Sequence, residues 1–347
     1  MNHTPNSIRV AISHGDINGV GYEVVLKTFS DARMLEHCTP ILYGSTKVAP
    51  YHKKLLAPQH QEMSFSALTE ARQAKDRRFN VVNIVPDEVK LDIGKSTETA
   101  GRLSRLALDR ACADLKNGDV DVLVTAPINK KNIQSQDFEF TGHTEYLSSQ
   151  FEGKSLMMMV CDRIRIGIMT NHLALQDVPA AITHDLLMEK IEIMNQSLKR
   201  DFGIRMPKIA VLALDPHAGD DGVIGSQDRD VVKPAIDEAA KRGILAYGPY
   251  PSDGFFGSSE FNKFDGVLAL YHDQGLIPFK LMSFTEGVNF TAGLPIVRTS
   301  PAHGTGYDIA GKDKASEHSF RRAVYLACDI LKNRKEYDEL NKNPLDK

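Results

Sequence analysis

Short apolar runs rich in β-branched residues alternate with longer amphipathic stretches along most of this chain. That alternation constrains the fold more than any other feature. The runs are IRVAIS from Ile8, TPILYG from Thr39, FNVVNIV from Phe79, DVDVLVTA from Asp119, RIRIGIMT from Arg163, PKIAVLAL from Pro207 and FDGVLALY from Phe264. Each has the length of a buried strand. Helical patterns separate several of them. In STETAGRLSRLALDRACADLKNGD the residues Ala100, Leu103, Ala107, Ala111 and Leu115 share one face, and Asn117-Gly118 supplies a stop. LLMEKIEIMNQSLKRDFG, ending at Gly203, and VVKPAIDEAAKRG are two more amphipathic helices. The pattern predicts an α/β fold with a largely parallel sheet. Residues 49–78 mix Pro, Gln, Lys and Arg and predict surface helix and loop.

Composition narrows the class. A chain of 347 residues holds two domains or one large one, and 42% hydrophobic residues can build a sizeable core. A net charge of -3 gives no electrostatic reason to expect nucleic acid. No apolar run approaches the roughly 20 residues that cross a bilayer, and MNHTPNSIRV lacks the apolar core of a secretion signal. Cys38, Cys112, Cys161 and Cys328 form no C-x-x-C pair. The last three sit in apolar contexts, so buried free thiols and a cytoplasmic location are expected.

Gly15, Gly19 and Gly21 have the spacing G-x-x-x-G-x-G after the first strand-like run. A dinucleotide-binding Rossmann unit would need an acidic residue near the end of the second strand. That strand ends in Tyr43-Gly44-Ser45-Thr46. The turn is therefore read as a tight connection at a strand end.

In parallel sheets, ligands sit beyond the carboxyl ends of strands. His172 follows IGIMT, His217 follows AVLAL and His272 follows GVLAL. Neutral imidazoles with an open position suit a catalytic divalent metal, zinc most readily. The same residues would equally serve as polar loop residues, and their separations match no local metal motif. FTGHTEYLSSQF places His143 and Thr144 at the head of a helix, with Thr141 as a possible N-cap. Plain capping and anion binding both fit that position. The segment KLMSFTEGVNFTAGLPIVRTSPAHGTGYDIAGKD is glycine-rich, with isolated Lys280 and Arg298. Arginine suits phosphate or carboxylate, though a lone one often serves an ion pair. Asn289 suits a hydroxyl, a carboxylate or its own backbone.

Together these blocks resemble the family of 4-hydroxythreonine-4-phosphate dehydrogenases. The matching stretches are GDINGVGYE, TAPINKKNI, FTGHTEY, TNHLALQDVP, DPHAGDDGVIG, LALYHDQGLIPFK and GVNFTAGLPIVRTSPAHGTGYDIAGK, in the family's order from Gly15 to Lys312. The resemblance implies an isocitrate/isopropylmalate dehydrogenase-like α/β fold, with two α/β domains around a central cleft. The expected boundaries are 1–140 plus 300–347, and 141–299. It implies a homodimer with the active site at the subunit interface.

By motif, the resemblance makes His172, His217 and His272 the divalent-metal ligands, drawn from both subunits, with Zn, Mg or Co as the ion. It makes His143, Thr144, Lys280, Asn289 and Arg298 substrate contacts. Asp273 and Lys280 are the catalytic candidates, Asp273 as the base. HGTGYDIAGK is similar to a nucleotide-embracing segment, which places NAD or NADP near Gly304 to Asp308. The implied reaction is oxidation of 4-phosphooxy-L-threonine at C3, followed by decarboxylation to 3-amino-2-oxopropyl phosphate in pyridoxal phosphate biosynthesis. A dehydrogenase of D-threonate or D-erythronate 4-phosphate is the nearest alternative, and a three-histidine zinc hydrolase an alternative of another class. A non-catalytic phosphometabolite-binding relative is a third.

The chain departs from the family's usual G-D-P-A-G-I-G-P-E, with Ile17 and Tyr22 for the prolines and Asn18 for alanine. By composition this predicts a less rigid loop and a place to look for altered specificity. Asp215, Gly254 and Ala302 replace the family's usual Asn, Thr and Asp.

Overall fold

The computed structural model describes residues 7–85, 89–134, 139–140, 142–283 and 285–342. Thr141, the possible helix cap, lies outside them. Twelve strands form among the described residues. They are β1 (Arg9–Ser13), β2 (Thr39–Gly44), β3 (Phe65–Leu68), β4 (Phe79–Asn83), β5 (Val122–Thr125), β6 (Leu156–Val160), β7 (Arg165–Ile168), β8 (Lys208–Leu212), β9 (Leu245–Tyr250), β10 (Gly266–Ala269), β11 (Val288–Ala292) and β12 (Arg298–Pro301). The chain divides into two compact units, Met1–Gln150 with Ile296–Leu331, and Phe151–Pro295 with Lys332–Lys347.

In the first unit the strand order is β3-β4-β2-β1-β5-β12, and all these neighbours pair in parallel. Val10, Ala11 and Ile12 are wholly buried, so β1 is covered on both faces and reads as a continuous apolar run. The helix Glu98–Lys116 starts at Thr97, whose hydroxyl accepts the Ala100 N–H at 3.2 Å. It buries the face expected from the sequence, Ala100, Leu103, Ala107, Ala111 and Leu115. It stops at Asn117-Gly118, where Gly118 takes φ +75°.

In the second unit the order is β11-β6-β7-β10-β8-β9. β7, β10, β8 and β9 run parallel, while β6 is antiparallel to both β7 and β11. The strands β7, β10 and β8 are immediate neighbours, so their carboxyl ends share one edge. The helix Glu98–Lys116 has its counterpart here in His184–Arg200, capped by Thr183 and followed by Gly203 at φ +68°.

Two expectations are corrected. Residues 49–78 are more than helix and loop, because β3 forms there and sets Phe65 against Phe79 at 5.7 Å. All four cysteines are free thiols, but Cys161 is only half-buried while Cys38 is enclosed with Cys112 and Cys328. No helix among the described residues is long and apolar enough to cross a membrane.

Candidate active site

The shared edge of β7, β10 and β8 is fixed by side chains that bond to the backbone of neighbouring strand ends. The Thr170 hydroxyl donates to Leu270 O at 2.8 Å, which ties the end of β7 to the end of β10. The Gln274 amide accepts the Leu270 N–H at 2.7 Å and donates to Ala213 O at 2.6 Å, which ties β10 to β8. Asp228 accepts the N–H groups of Leu214 and Asp215, each at 2.8 Å, and so holds the chain leaving β8. Burial pushes that carboxyl's pKa up, against the pull of the two N–H donors.

Gln274→Leu would leave the buried Leu270 N–H and Ala213 C=O without partners. Each loss costs on the order of 1–3 kcal/mol. The melting temperature and kcat/KM should both fall, and an unchanged melting curve would remove Gln274 from this role.

His172 and His272 emerge from neighbouring strands, and their ring centroids lie 5.9 Å apart. His272 Nδ1 sits 2.7 Å from Asp273 Oδ1. Against a carboxylate acceptor the Nδ1–H tautomer satisfies this bond, and that tautomer leaves Nε2 as the metal-ligating nitrogen. His217 stands on a left-handed turn in which His217 through Asp221 all have positive φ, between 46° and 77°. Such a run is rare for residues other than glycine. It is packed closely, since a Cβ on Gly219 would lie 2.3 Å from Gly225 O. The structure therefore pairs His172 with His272. Among the described residues no three His, Cys, Asp or Glu side chains come together closely enough to hold a metal.

Arg298 heads β12 in the first unit and is almost wholly buried. Its guanidinium donates to Thr125 Oγ1 from Nε at 3.1 Å and from Nη2 at 2.6 Å. Burial pulls its pKa down to about 9, against the field of Glu145. His143 begins the helix His143–Gln150, and its Nε2 is buried without a hydrogen-bond partner among the described residues. Burial first, then Arg298 and Lys130, hold this imidazole well below its ordinary pKa and so neutral. Thr144, next in the helix, is buried. This corner offers cationic charge, a helix N-terminus and an unsatisfied ring nitrogen, which together suit an anionic ligand. In the second unit, Lys280 is exposed on the helix His272–Ser283. Asn289 lies opposite Met159 on β11, with Oδ1 buried and unpartnered among the described residues.

The opening glycine turn meets the segment after β12 within the first unit. Val20 N–H donates to Thr305 O at 2.9 Å, and the Tyr307 hydroxyl donates to Asp16 Oδ2 at 2.7 Å. Gly304 and Asp308 are exposed there, and a Cβ on Gly304 would meet nothing within 4 Å. Open backbone beside an exposed carboxylate fits a dinucleotide, whose phosphates need close approach and whose ribose needs an acceptor.

The substituted residues of the turn are structural. Ile17 and Tyr22 are wholly buried. The Tyr22 ring stacks between His14 and His52 at 5.4 and 4.9 Å, and its hydroxyl accepts the Ser45 N–H at 3.1 Å. The Asn18 side chain accepts from Asp92 N and donates to Lys95 O. Packing thus replaces proline in holding this loop, which corrects the expectation of a looser one. Gly254 is exposed with open space around it, and Ala302 N–H donates to Ser319 Oγ.

The family model described as pyridoxal phosphate biosynthetic protein PdxA matches residues 36–327. A 4-hydroxythreonine-4-phosphate dehydrogenase of Bacteroides thetaiotaomicron is 51% identical over 344 residues, 99% of this chain and 94% of its own length. The crystal structure of 4-hydroxythreonine-4-phosphate dehydrogenase from Klebsiella pneumoniae is similar with a TM-score of 0.80 at 28% identity, covering 94% of this chain and 100% of that one. An isocitrate dehydrogenase from Methylococcus capsulatus shares the fold, with a TM-score of 0.51 at 10% identity over 96% of this chain and 89% of that one. The chain therefore belongs to the PdxA family of pyridoxal phosphate biosynthetic proteins.

Proposed function

We propose that the protein oxidises 4-phosphooxy-L-threonine at C3 with NAD or NADP, and that decarboxylation then yields 3-amino-2-oxopropyl phosphate. The observation that carries this reading is a near full-length likeness to a relative named 4-hydroxythreonine-4-phosphate dehydrogenase. The paired imidazoles at adjacent strand ends support it.

His172 and His272, with His217, would hold a divalent cation, zinc most readily and Mg or Co as alternatives. Such a cation would supply Lewis acidity towards the substrate's oxygen atoms. Asp273 keeps the His272 ring in the ligating tautomer, and its second oxygen is open to take a proton. Arg298, His143 and Thr144 bind an anionic end of the substrate, and Lys280 and Asn289 are further substrate contacts. Lys280 is also a catalytic candidate. Gly304 and Asp308 would hold the dinucleotide, the group that would supply the redox chemistry. We take the two compact units as the two α/β domains, with boundaries at 150/151, 295/296 and 331/332 in place of 140/141 and 299/300.

A second copy of the chain completes the site. Leu173 and Leu175 follow His172, Val223 and Ile224 follow the His217 turn, and Ile277 and Leu281 share the helix that His272 begins. All six are exposed. Apolar side chains gathered at the ligand-bearing loops mark a surface that another protein covers. A homodimer would bury them and supply the third imidazole. Four free thiols suit a reducing cytoplasm.

The test is reduced dinucleotide formation by metal-loaded protein with 4-phosphooxy-L-threonine, run with NAD and with NADP. Substrate-dependent formation is expected. No signal from folded dimer would sink the substrate assignment, and turnover of only D-threonate or D-erythronate 4-phosphate would replace it.

A further inference from the structure

Residues 302–317 connect β12 to the helix His318–Leu340 without forming a strand or an α-helix. A connection of this length needs ties to hold one shape. Its near half is held by the opening turn, through Val20 to Thr305 and Asp16 to Tyr307. Its far half is held by one buried ion cluster on the first helix, Gly21–Ser30.

Lys27 Nζ lies 2.9 Å from Glu23 Oε1, 2.8 Å from Asp313 Oδ1 and 2.8 Å from Ala315 O. Two of its three protons go to Glu23 Oε1 and Ala315 O, and the Asp313 carboxylate adds an ion pair. Glu23 Oε1 also accepts the Ala315 N–H at 2.8 Å, so Ala315 is held through both its backbone groups. Asp313, at φ +56°, accepts the Ala57 N–H through its other oxygen at 2.9 Å. Glu23 and Lys27 are each under a tenth exposed. Charge-assisted bonds in such a setting are strong and weakly screened.

Between the two sets of ties lies the stretch from Tyr307 to Asp313, which includes Asp308. Gly304 lies just before the first set. We propose that Glu23 and Lys27 are positioning residues for the dinucleotide, holding residues 302–317 in the shape that presents Gly304 and Asp308. This rests on the reading that the segment takes the nucleotide. Neither residue touches the ligand. They fix the far anchor of the loop that does, so the ordering is complete before the ligand arrives.

The experiment titrates NADH into Glu23→Gln, Lys27→Arg and Gly304→Val. The chain contains no tryptophan, so the cofactor's own emission reports binding without protein interference. Glu23→Gln keeps the shape of the side chain and removes its charge. Its NADH Kd should rise about tenfold. The dinucleotide KM should rise with it, while the KM for the phosphorylated substrate stays within about twofold, since that ligand does not depend on this anchor. Amide exchange across 302–317 should speed up at the same time. Lys27→Arg should fall between wild type and Glu23→Gln. Gly304→Val tests the placement itself and should abolish NADH binding. Loss of NADH binding in Gly304→Val with an unchanged Kd in Glu23→Gln, despite faster exchange, would overturn the positioning role alone. An unchanged Kd in Gly304→Val would overturn the nucleotide placement and this inference together.

Discussion

Alanine at His217 or at His272 should abolish turnover, and mixing the two inactive proteins should restore about a quarter of the wild-type activity. The first half follows from the chemistry of the proposed site. Removing one of three imidazoles removes the cation, and with it several kcal/mol of stabilisation of developing negative charge. At 1.36 kcal/mol per factor of ten, a loss of about 4 kcal/mol is on the order of a thousandfold in rate. Metal content by elemental analysis should fall with kcat/KM. Asp273→Asn keeps the ligand but loosens its orientation, so metal affinity should drop only about 10–100-fold.

The second half follows from the geometry. His172 and His272 pair within one chain, and no third ligand joins them among the described residues. If His217 of the partner subunit completes the set, a heterodimer of the two variants has one intact site and one doubly broken one. Random exchange makes about half the dimers heterodimeric, with one working site in two, hence about a quarter. Activity that stays at zero after exchange is verified would show that all three ligands come from one chain.

Much of this arrangement was legible because a parallel sheet converts distant sequence positions into neighbours. The runs ending before His172, His217 and His272 became β7, β8 and β10, which lie side by side. What holds those ends was not legible. Thr170, Gln274 and Asp228 each bond to backbone groups through tertiary pairing, which leaves no local spacing to read. β6 is not legible because LMMMV lacks β-branched residues until its last position. The left-handed turn at His217 was hinted at only by Gly219, Gly222 and Gly225.

The opening glycines form the tight turn that their spacing suggests, but their reason is specific. A Cβ at Gly15, Gly19 or Gly21 would lie 2.3 Å from Pro127 O, 2.6 Å from Thr305 O or 2.4 Å from His14 O. These glycines admit other parts of the backbone, where a Rossmann turn would admit a pyrophosphate. The Gly19 contact is with the segment proposed to take the dinucleotide, so the motif serves the cofactor at one remove.

Acid should destabilise the first unit well before its carboxylates are protonated. His14 and His52 flank Tyr22 and are essentially inaccessible to solvent. Burial lowers each pKa from 6.5 to about 4, for His52 against a favourable contact with Ile17 O. The unfolded chain takes up these protons near pH 6.5, whereas the folded chain resists until about pH 4. Between those values the unfolded state binds more protons, so stability is full above about pH 6.5 and declines as pH falls. Each ring should contribute a loss of about 2 kcal/mol by about pH 5, approaching about 3 kcal/mol at pH 4. Below pH 4 the loss levels off at about 3.4 kcal/mol per ring. Urea unfolding at a series of pH values would show the slope. His52→Gln tests its source, because glutamine can still donate to Ile17 O but does not titrate. The variant should lose about half of the slope between pH 6.5 and 4.5. A slope identical to wild type would mean that the acid sensitivity resides elsewhere, and that the stacked rings are not the groups that charge.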